Sequence, residues 1–279
     1  MHGQLINPGA PFCIAVAQHK YLGAEKGLQS AIEGGCTHWY IDGSLPGESV
    51  EDWTDARITR LQEKIAVSGV QPLLHSNFKA PLGSDVGAFR AAAVQYVEKE
   101  IDIASRLGAP LIIHGGCLIG PQRVPEAKKV ALEHYLKSVQ KLARYAEGKG
   151  TDIYVESLSN YVNYRIFTDE AQFARVFEHL QAHRNVYCLL DAGHAHIDSG
   201  LPAQVVRTYH ALIKGISFSN NPAVHDTGNC DCADVVKAIA DTHWKGLVGF
   251  DTGHQTARAA LAELALMYRK ALSTTITDA

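Results

Sequence analysis

Three acidic residues and two histidines each stand at the end of a short apolar run in this chain. Glu156 follows Ile-Tyr-Val, Asp191 follows Cys-Leu-Leu, and Asp251 follows Leu-Val-Gly-Phe. His75 follows Pro-Leu-Leu, and His114 follows Leu-Ile-Ile. Carboxylates and imidazoles bind divalent metal ions and move protons near neutral pH. If these side chains converge, the sequence predicts a metal-dependent active site.

The apolar runs indicate how such convergence arises. Runs of this length are typical of strands that are buried on both faces of a parallel sheet. A closed barrel gathers the C-terminal ends of its strands on one face, so residues far apart in sequence meet there. Three carboxylates gathered without a cation would repel each other, and desolvation would raise their pKa values. The strand ends carry no equivalent cluster of Arg or Lys, so the sequence favours a divalent metal as the compensating charge.

The spacing of the runs predicts the fold. Their ends recur at a mean interval of about 35 residues, the length of one strand–helix unit with its return loop. Helical patterns fill the intervals: one ends at Gly108, one begins at Pro125, one is capped by Thr168, and the last spans about 256–272. No GxGxxG follows the first run, so a dinucleotide-binding sheet is not supported. We therefore predict an α/β fold, a single (β/α)8 TIM barrel over residues 1–279. The predicted strands are 13–17, 37–41, 70–74, 110–114, 152–156, 186–191, 213–218 and 247–251.

Composition and charge argue against nucleic-acid and membrane partners. The 279 residues include 26 basic and 29 acidic side chains, for a net charge of -3, which gives no overall positive field for a nucleic acid. No apolar stretch reaches the ~20 residues of a membrane span, and the N-terminus lacks a signal-peptide pattern. The six cysteines include no CxxC pair, which suits reduced thiols. We expect a cytoplasmic enzyme for a small-molecule substrate, without nucleic-acid or membrane partners; a homo-oligomer stays open.

Two motifs resemble a known family. The stretch that begins at Asp191 reads DAGHAH, and the stretch that begins at Glu156 reads ESLSN. Together they resemble the xylose-isomerase-like barrel superfamily, and the resemblance covers most of the chain. That group includes sugar epimerases, hydroxypyruvate isomerase, dehydratases of cyclic polyol ketones, and type 2 AP endonucleases. The resemblance implies one divalent ion (Mn, Zn, Co, Mg or Fe), held by carboxylates on strands five, six and eight and by His or Gln on strand seven.

Carried over to this sequence, the resemblance implies Glu156, Asp191 and Asp251 as metal ligands. It also implies that Glu156 and Asp251 exchange the substrate proton. Two departures are visible, since Ser217 stands where a His or Gln is expected and Asp251 is one methylene shorter than the expected Glu. A neutral hydroxyl is a poor metal ligand, so either His225, in the loop after strand seven, or water takes the fourth position, or the site has drifted from the family pattern.

Three histidines match substrate-binding positions of the family. His75, His114 and His194 correspond to places that contact substrate hydroxyls in the isomerases, although the first two match metal ligands in the endonucleases. The endonucleases also need an Asp that falls at Ala223 here. Together with Ser217 and the negative net charge, this disfavours DNA incision.

These residue types predict a proton-transfer reaction. A hydroxy-ketone held on a divalent cation has an acidified α-proton, because the metal stabilises the developing enediolate. Two carboxylates on opposite sides of the substrate then remove a proton and return one. We expect an isomerase or epimerase of a small sugar or hydroxy-keto acid. If a β-hydroxyl leaves after proton removal, the site is a dehydratase; iron-dependent tailoring of a metabolite and a non-enzymatic binding barrel also stay open.

Overall fold

The fold is a closed barrel of parallel strands, as the sequence predicts. It comes from a computed structural model that describes residues 13–16, 22–115, 124–158, 166–193, 202–218, 232–250 and 254–277. Each strand pairs with the next along the chain, and β8 pairs with β1 to close the ring. The strands are β1 (Cys13–Val16), β2 (His38–Asp42), β3 (Gln71–His75), β4 (Leu111–His114), β5 (Ile153–Glu156), β6 (Val186–Asp191), β7 (Ile213–Phe218) and β8 (Leu247–Phe250).

Helices follow the strands and cover the outside of the barrel. They are α1 (Ala24–Gly34), α2 (Asp55–Ser68), α3 (Gly87–Leu107), α4 (Val124–Gly148), α5 (Glu170–Leu180), α6 (Pro202–Tyr209), α7 (Cys232–Asp241) and α8 (His254–Thr277). Gly108 ends α3 with a φ of 70°, a left-handed conformation that glycine adopts without strain. Among the described residues, no helix is both long and apolar enough to cross a membrane.

The interior of the barrel is built in two layers. A small apolar cluster, here called the floor layer, contains Tyr40, Leu73, Ile112, Tyr154, Leu189 and Leu247. Side chains alternate along a strand, so residues two positions further on point into the same interior. These residues form what we call the mouth layer: Asp42, His75, His114, Glu156, Asp191, Ser217 and Gly249. The larger core lies outside the ring, between the strands and the helices.

Several details differ from the sequence prediction. Asp169, rather than Thr168, caps α5, because its side chain accepts a hydrogen bond from the Gln172 amide at 3.0 Å. The apolar pattern that ends at Gly108 begins in the sequence with Val86 and Phe89, which predicts that both are buried, yet they are 45% and 61% exposed. The reason is length: a helix of 21 residues spans about 31 Å, whereas a five-residue strand spans about 17 Å. The beginning of α3 therefore extends past the barrel wall.

Candidate active site at the mouth of the barrel

Four of the predicted site residues come together in the mouth layer. His75, His114, Glu156 and Asp191 are the last residues of β3, β4, β5 and β6. The strand register places His114 beside Glu156, and neighbouring strands lie about 4.8 Å apart. The four side chains therefore occupy one continuous arc of the wall. The other predicted site residues, Asp251, His194 and His225, lie outside the described residues, and their roles stay predictions.

A hydrogen bond crosses the mouth from β3 to β5. His75 Nε2 lies 3.1 Å from Glu156 Oε2, although β4 separates the two strands. The imidazole of His114, on the intervening strand, lies beside that of His75 with ring centroids 5.4 Å apart. The three side chains thus converge in the interior rather than lining separate parts of the wall.

The second ring nitrogen of His75, Nδ1, shows where one of its protons lies. His75 Nδ1 lies 2.7 Å from the carbonyl oxygen of Ser76, and a carbonyl accepts but does not donate, so Nδ1 carries a proton. Burial lowers the pKa of His75, but the hydrogen bond and charge of Glu156, the charge of Asp42 and the Ser76 carbonyl outweigh it and raise the pKa. With Nδ1 protonated, the direction of the pKa shift favours Nε2 as the donor to the Glu156 carboxylate.

His114 is buried between two aromatic neighbours. Its ring lies 5.4 Å from that of His75 and 6.3 Å from that of Phe78, measured between centroids. Phe78 follows β3 in the chain and is more than half exposed, so it overhangs the mouth. His114 therefore lies between the aromatic ring of Phe78 and the contact of His75 with Glu156. Substrate binding by His75 and His114 stays a prediction.

Asp191 is the most deeply buried acid of the mouth layer, at 1% exposure. Its main-chain amide donates to Ser157 Oγ at 3.0 Å. Ser157 is itself buried and directly follows Glu156. This bond ties the ends of β5 and β6 together, so the positions of the two predicted metal-binding carboxylates are coupled through the backbone.

The wall formed by β7 and β8 is different, because its mouth-layer residues are small. Ser217 pairs with Asp191 on one side and with Gly249 on the other. A Cβ atom added to Gly249 would lie 3.9 Å from Ser217 Oγ, an ordinary contact distance. By contrast, a Cβ atom on Gly215, one layer lower, would lie 2.5 Å from Leu189 Cδ1. The floor is therefore closed on this side, whereas the described residues leave room beside Ser217 in the mouth layer.

The donor atoms of Glu156 and Asp191 suit a hard divalent cation, which prefers carboxylate oxygens. Ser217, next to Asp191 in register, offers only a neutral hydroxyl. Within the part of the chain that the structure describes, no group of three or more His, Cys, Asp or Glu side chains is arranged to hold a metal ion. Glu156 and Asp191 therefore stay predicted metal ligands, as do Asp251 and His225.

Sequence reasoning missed one carboxylate behind the mouth layer. Glu100, on α3, is 3% exposed and accepts hydrogen bonds from Ser76 Oγ at 2.5 Å and from the Asn77 amide at 2.8 Å. A signal was present, because Glu100 lies among Val97, Ile101 and Ala104 on the buried face of α3. An acidic residue within an apolar helical stripe indicates a buried polar partner.

Sequence reasoning also missed a cluster of charged side chains that joins the loop after β2 to the start of α1. Glu48, in the loop after β2, accepts from the Ala24 amide at the start of α1 at 2.8 Å. Arg57 contacts Glu48 through Nη2 at 2.8 Å and Glu25 through Nε at 2.8 Å, and it stacks on Trp53 at 4.2 Å. This network supports the rim of the barrel rather than the mouth layer.

Comparisons with known proteins agree with this architecture. None of the curated protein sequences compared with the chain matches it. Among solved structures, an L-ribulose 3-epimerase has a TM-score of 0.77 at 16% identity, with 96% of this chain and 98% of that one covered. A 3-keto-D-glucoside 4-epimerase from E. coli has a TM-score of 0.72 at 16% identity, with 91% and 99% covered.

A family 2 AP endonuclease from Brucella melitensis is also similar, with a TM-score of 0.68 at 14% identity and 91% and 98% of the two chains covered. At such low identity, these structures establish a shared fold. The family model described as a xylose isomerase-like TIM barrel matches residues 30–271. Because that match spans most of the sequence, the chain belongs to the xylose isomerase-like TIM barrel family.

Proposed function

We propose that the protein is a divalent-metal-dependent isomerase or epimerase of a small sugar or hydroxy-keto acid. The observation that carries this proposal is the arc of the mouth layer in which Glu156 and Asp191 end adjacent strands and His75 donates to Glu156. Two carboxylates and the neighbouring wall of small residues on β7 and β8 suit a polyhydroxy ligand held beside a cation. The similarity to an L-ribulose 3-epimerase and a 3-keto-D-glucoside 4-epimerase supports the same class of reaction.

In this proposal, Glu156, Asp191 and Asp251 hold one divalent ion, with His225 or water in the remaining position. When bound, such an ion withdraws electron density from the substrate oxygens and so acidifies the neighbouring C–H bond. The neutral hydroxyl of Ser217 lies next to Asp191 in register. We assign Ser217 to the substrate side of the site, because its small side chain leaves space for a ligand hydroxyl.

The proton-transfer roles follow from the positions of the strands. Glu156 ends β5, and Asp251 comes directly after β8, three strands further round the barrel. We propose that Glu156 removes the proton next to the carbonyl and that Asp251 returns one from another direction. Transfer from opposite faces gives epimerisation, whereas return to the neighbouring carbon gives an aldose–ketose exchange. His75, by donating to Glu156 Oε2, orients that carboxylate for its proposed roles as ligand and base.

Proton exchange with solvent tests the proposal without knowledge of the net reaction. The protein, loaded with Mn, Co, Mg or Zn, is incubated in deuterium oxide with ketoses, aldoses, hydroxypyruvate and a 3-keto-glucoside. We expect deuterium to appear at the carbon next to the carbonyl of at least one compound, detected by mass spectrometry and proton NMR. Glu156→Gln should incorporate deuterium at least about 100-fold more slowly, since its amide is a far weaker base than the carboxylate.

The outcomes separate the competing functions. Loss of a hydroxyl with appearance of an ultraviolet-absorbing enone would identify a dehydratase. Incision of a duplex with an abasic site would identify a phosphodiesterase, which the net charge of -3 disfavours. If no compound of the panel exchanges a proton with any of the four metals, the isomerase proposal is wrong.

A further inference from the structure

A buried carboxylate outside the mouth layer is connected to it through the residues that follow β3. Glu100 belongs to α3, on the outer side of the barrel wall, yet both of its carboxylate oxygens accept hydrogen bonds. Its partners are Ser76 Oγ and the main-chain amide of Asn77. These two residues directly follow His75 in the chain, so Glu100 fixes the backbone immediately beyond that histidine.

Ser76 is held from three directions. Its hydroxyl donates to Glu100, and its amide donates to the carbonyl of Ile112 on β4 at 2.8 Å. Its own carbonyl accepts from His75 Nδ1 at 2.7 Å. With Nδ1 engaged in this way, the other nitrogen, Nε2, points to Glu156. The orientation of the imidazole therefore depends on a peptide group whose place is set by Glu100.

The turn after β2 also contacts the residues around His75. The amide of Gly43 donates to the carbonyl of His75 at 2.8 Å. A Cβ atom at position 43 would lie 2.8 Å from that carbonyl oxygen, 3.1 Å from Glu100 Oε1 and 3.3 Å from the Asn77 nitrogen. His75, Ser76 and Glu100 are thus packed without spare space, and the glycine is required by the close approach of the two strand ends.

A charged carboxylate at this buried position costs free energy, because it loses the water that would solvate its charge. Burial raises the pKa of Glu100 to about 7, and the Ser76 hydroxyl, the Asn77 amide and the charge of His75 offset only part of that increase, while Asp42 adds to it. Packing alone would be served by an aliphatic side chain. Leucine, however, would leave the Ser76 hydroxyl and the Asn77 amide without their acceptor.

We propose that Glu100 is a positioning residue, which holds Ser76 and thereby keeps the imidazole of His75 aimed at Glu156. It acts through the backbone and does not touch substrate. The proposal rests on the proposed function only for its catalytic consequence; the orientation of His75 is a property of the protein itself. The two are therefore tested by different measurements.

The structural readout is the His75 Nδ1 proton, followed by NMR of the protein with Mg²⁺ present and assigned by its loss in His75→Gln. In the wild type, this buried and hydrogen-bonded proton should exchange slowly with water. Glu100→Gln should keep the resonance, because its amide oxygen accepts from Asn77 and its amide nitrogen donates to Ser76 Oγ. Glu100→Ala should exchange the proton at least about tenfold faster, and Ser76→Ala should also accelerate the exchange.

The control for general destabilisation is Asn185→Ala. Asn185 is buried at the opposite end of the barrel, where its side chain donates to the carbonyls of Ala143 and Thr151 at 2.9 and 3.3 Å. This variant should lose thermal stability while the His75 proton exchanges at the wild-type rate. If Glu100→Ala also keeps the wild-type rate, the proposal is wrong. If Glu100→Ala does not fold, Ser76→Ala decides in the same way.

The catalytic readout is the rate of deuterium incorporation into the substrate. We expect kcat to fall about 10- to 100-fold in Glu100→Ala with KM little changed, and Glu100→Gln to recover most of it. A fall in kcat without any change at His75 would overturn the positioning role. Absence of incorporation in the wild type would instead overturn the proposed function and leave the NMR result standing.

Discussion

The floor layer and the mouth layer of this barrel lie two residues apart on the same strands, yet their side chains differ completely in chemistry. The floor is filled by Leu, Ile and Tyr side chains that pack against each other. The mouth, about 6.6 Å further along each strand, carries Asp, His and Glu on β2 to β6 and small residues on β7 and β8. The backbone is equivalent in the two layers, so the difference lies in the side chains alone, and the last inward position of each strand is where we propose that the reaction takes place.

The largest expected effect comes from the mouth layer. Glu156→Gln removes the proposed base and a metal-binding charge, so we expect deuterium exchange to fall by about 10²- to 10⁴-fold. Glu178→Gln, on the exposed side of α5, is the matched control and should retain wild-type activity. Thermal unfolding of both variants should stay near that of the wild type. Full activity in Glu156→Gln would show that the mouth layer does not carry the chemistry.

The floor layer should show the opposite pattern. Ile112→Ala removes buried methyl groups from a site where the neighbouring strands limit collapse, so we expect a loss of about 2–5 kcal/mol in the free energy of unfolding. Urea titration measures this loss, and the folded fraction should keep its metal. Val67→Ala, at a position that is 90% exposed, should change stability by less than about 0.5 kcal/mol. Equal losses in the two variants would contradict a packed floor.

Glu100, behind the mouth layer, should make the stability of the protein depend on pH. Its pKa is about 7 in the folded protein against 4.5 for an ordinary glutamate, so between these values the folded state keeps a proton that the unfolded state has released. Stability from this group is therefore highest below pH 4.5 and falls as the pH rises toward 7, by at most roughly 3 kcal/mol. Glu100→Gln should escape this loss.

The measurement compares the free energies of unfolding of Glu100→Gln and the wild type between pH 4.5 and 6.5. His75, whose pKa is raised, is present in both proteins, so the difference between them reports on the titration of Glu100. The advantage of Glu100→Gln should grow steadily with pH. A constant difference between the two proteins would mean that Glu100 titrates as an ordinary glutamate.

The smallest expected effect concerns a tyrosine outside the ring. Tyr135, on α4, is fully buried, and its hydroxyl has no hydrogen-bond partner among the described residues. Tyr135→Phe should therefore be neutral or stabilise the protein by up to about 1 kcal/mol. Ser138→Ala, on the same helix, removes a buried bond to the Leu82 carbonyl at 2.8 Å and should destabilise by about 1 kcal/mol. Calorimetric Tm values of the pair would show the contrast, and a large loss in Tyr135→Phe would reveal an unrecognised partner.

Much of this architecture could be predicted from the sequence, because the regular spacing of the apolar runs and the residues at their ends can be read from short stretches of the chain. Short apolar runs that stop at Glu156 and Asp191 predict both the barrel and the edge at which the acids meet. The boundaries of β2 and β3 were predicted one residue early, so Asp42 and His75 are the last residues of their strands rather than the first after them. The residue types already suggested which chemistry to expect.

The contacts between separate strands and helices could not be predicted in the same way. The bond between His75 and Glu156 joins residues 81 positions apart and depends on how the closed barrel curves past β4. The contact between Glu100 and Ser76 spans 24 positions and depends on how α3 packs on the wall. Propensity and periodicity carry no information on such distances, since they describe only one element at a time.

The most direct test of the central claim is the metal content of the purified protein, with Glu156→Gln, Asp191→Asn and Ile112→Ala compared with the wild type. We predict one divalent ion per chain in the wild type and in Ile112→Ala, and loss of that ion in both carboxylate variants. Elemental analysis after incubation with Mn²⁺ and removal of free metal gives the count. Wild-type protein that binds no ion, or carboxylate variants that keep it, would contradict the assignment of the mouth layer as a metal-dependent active site.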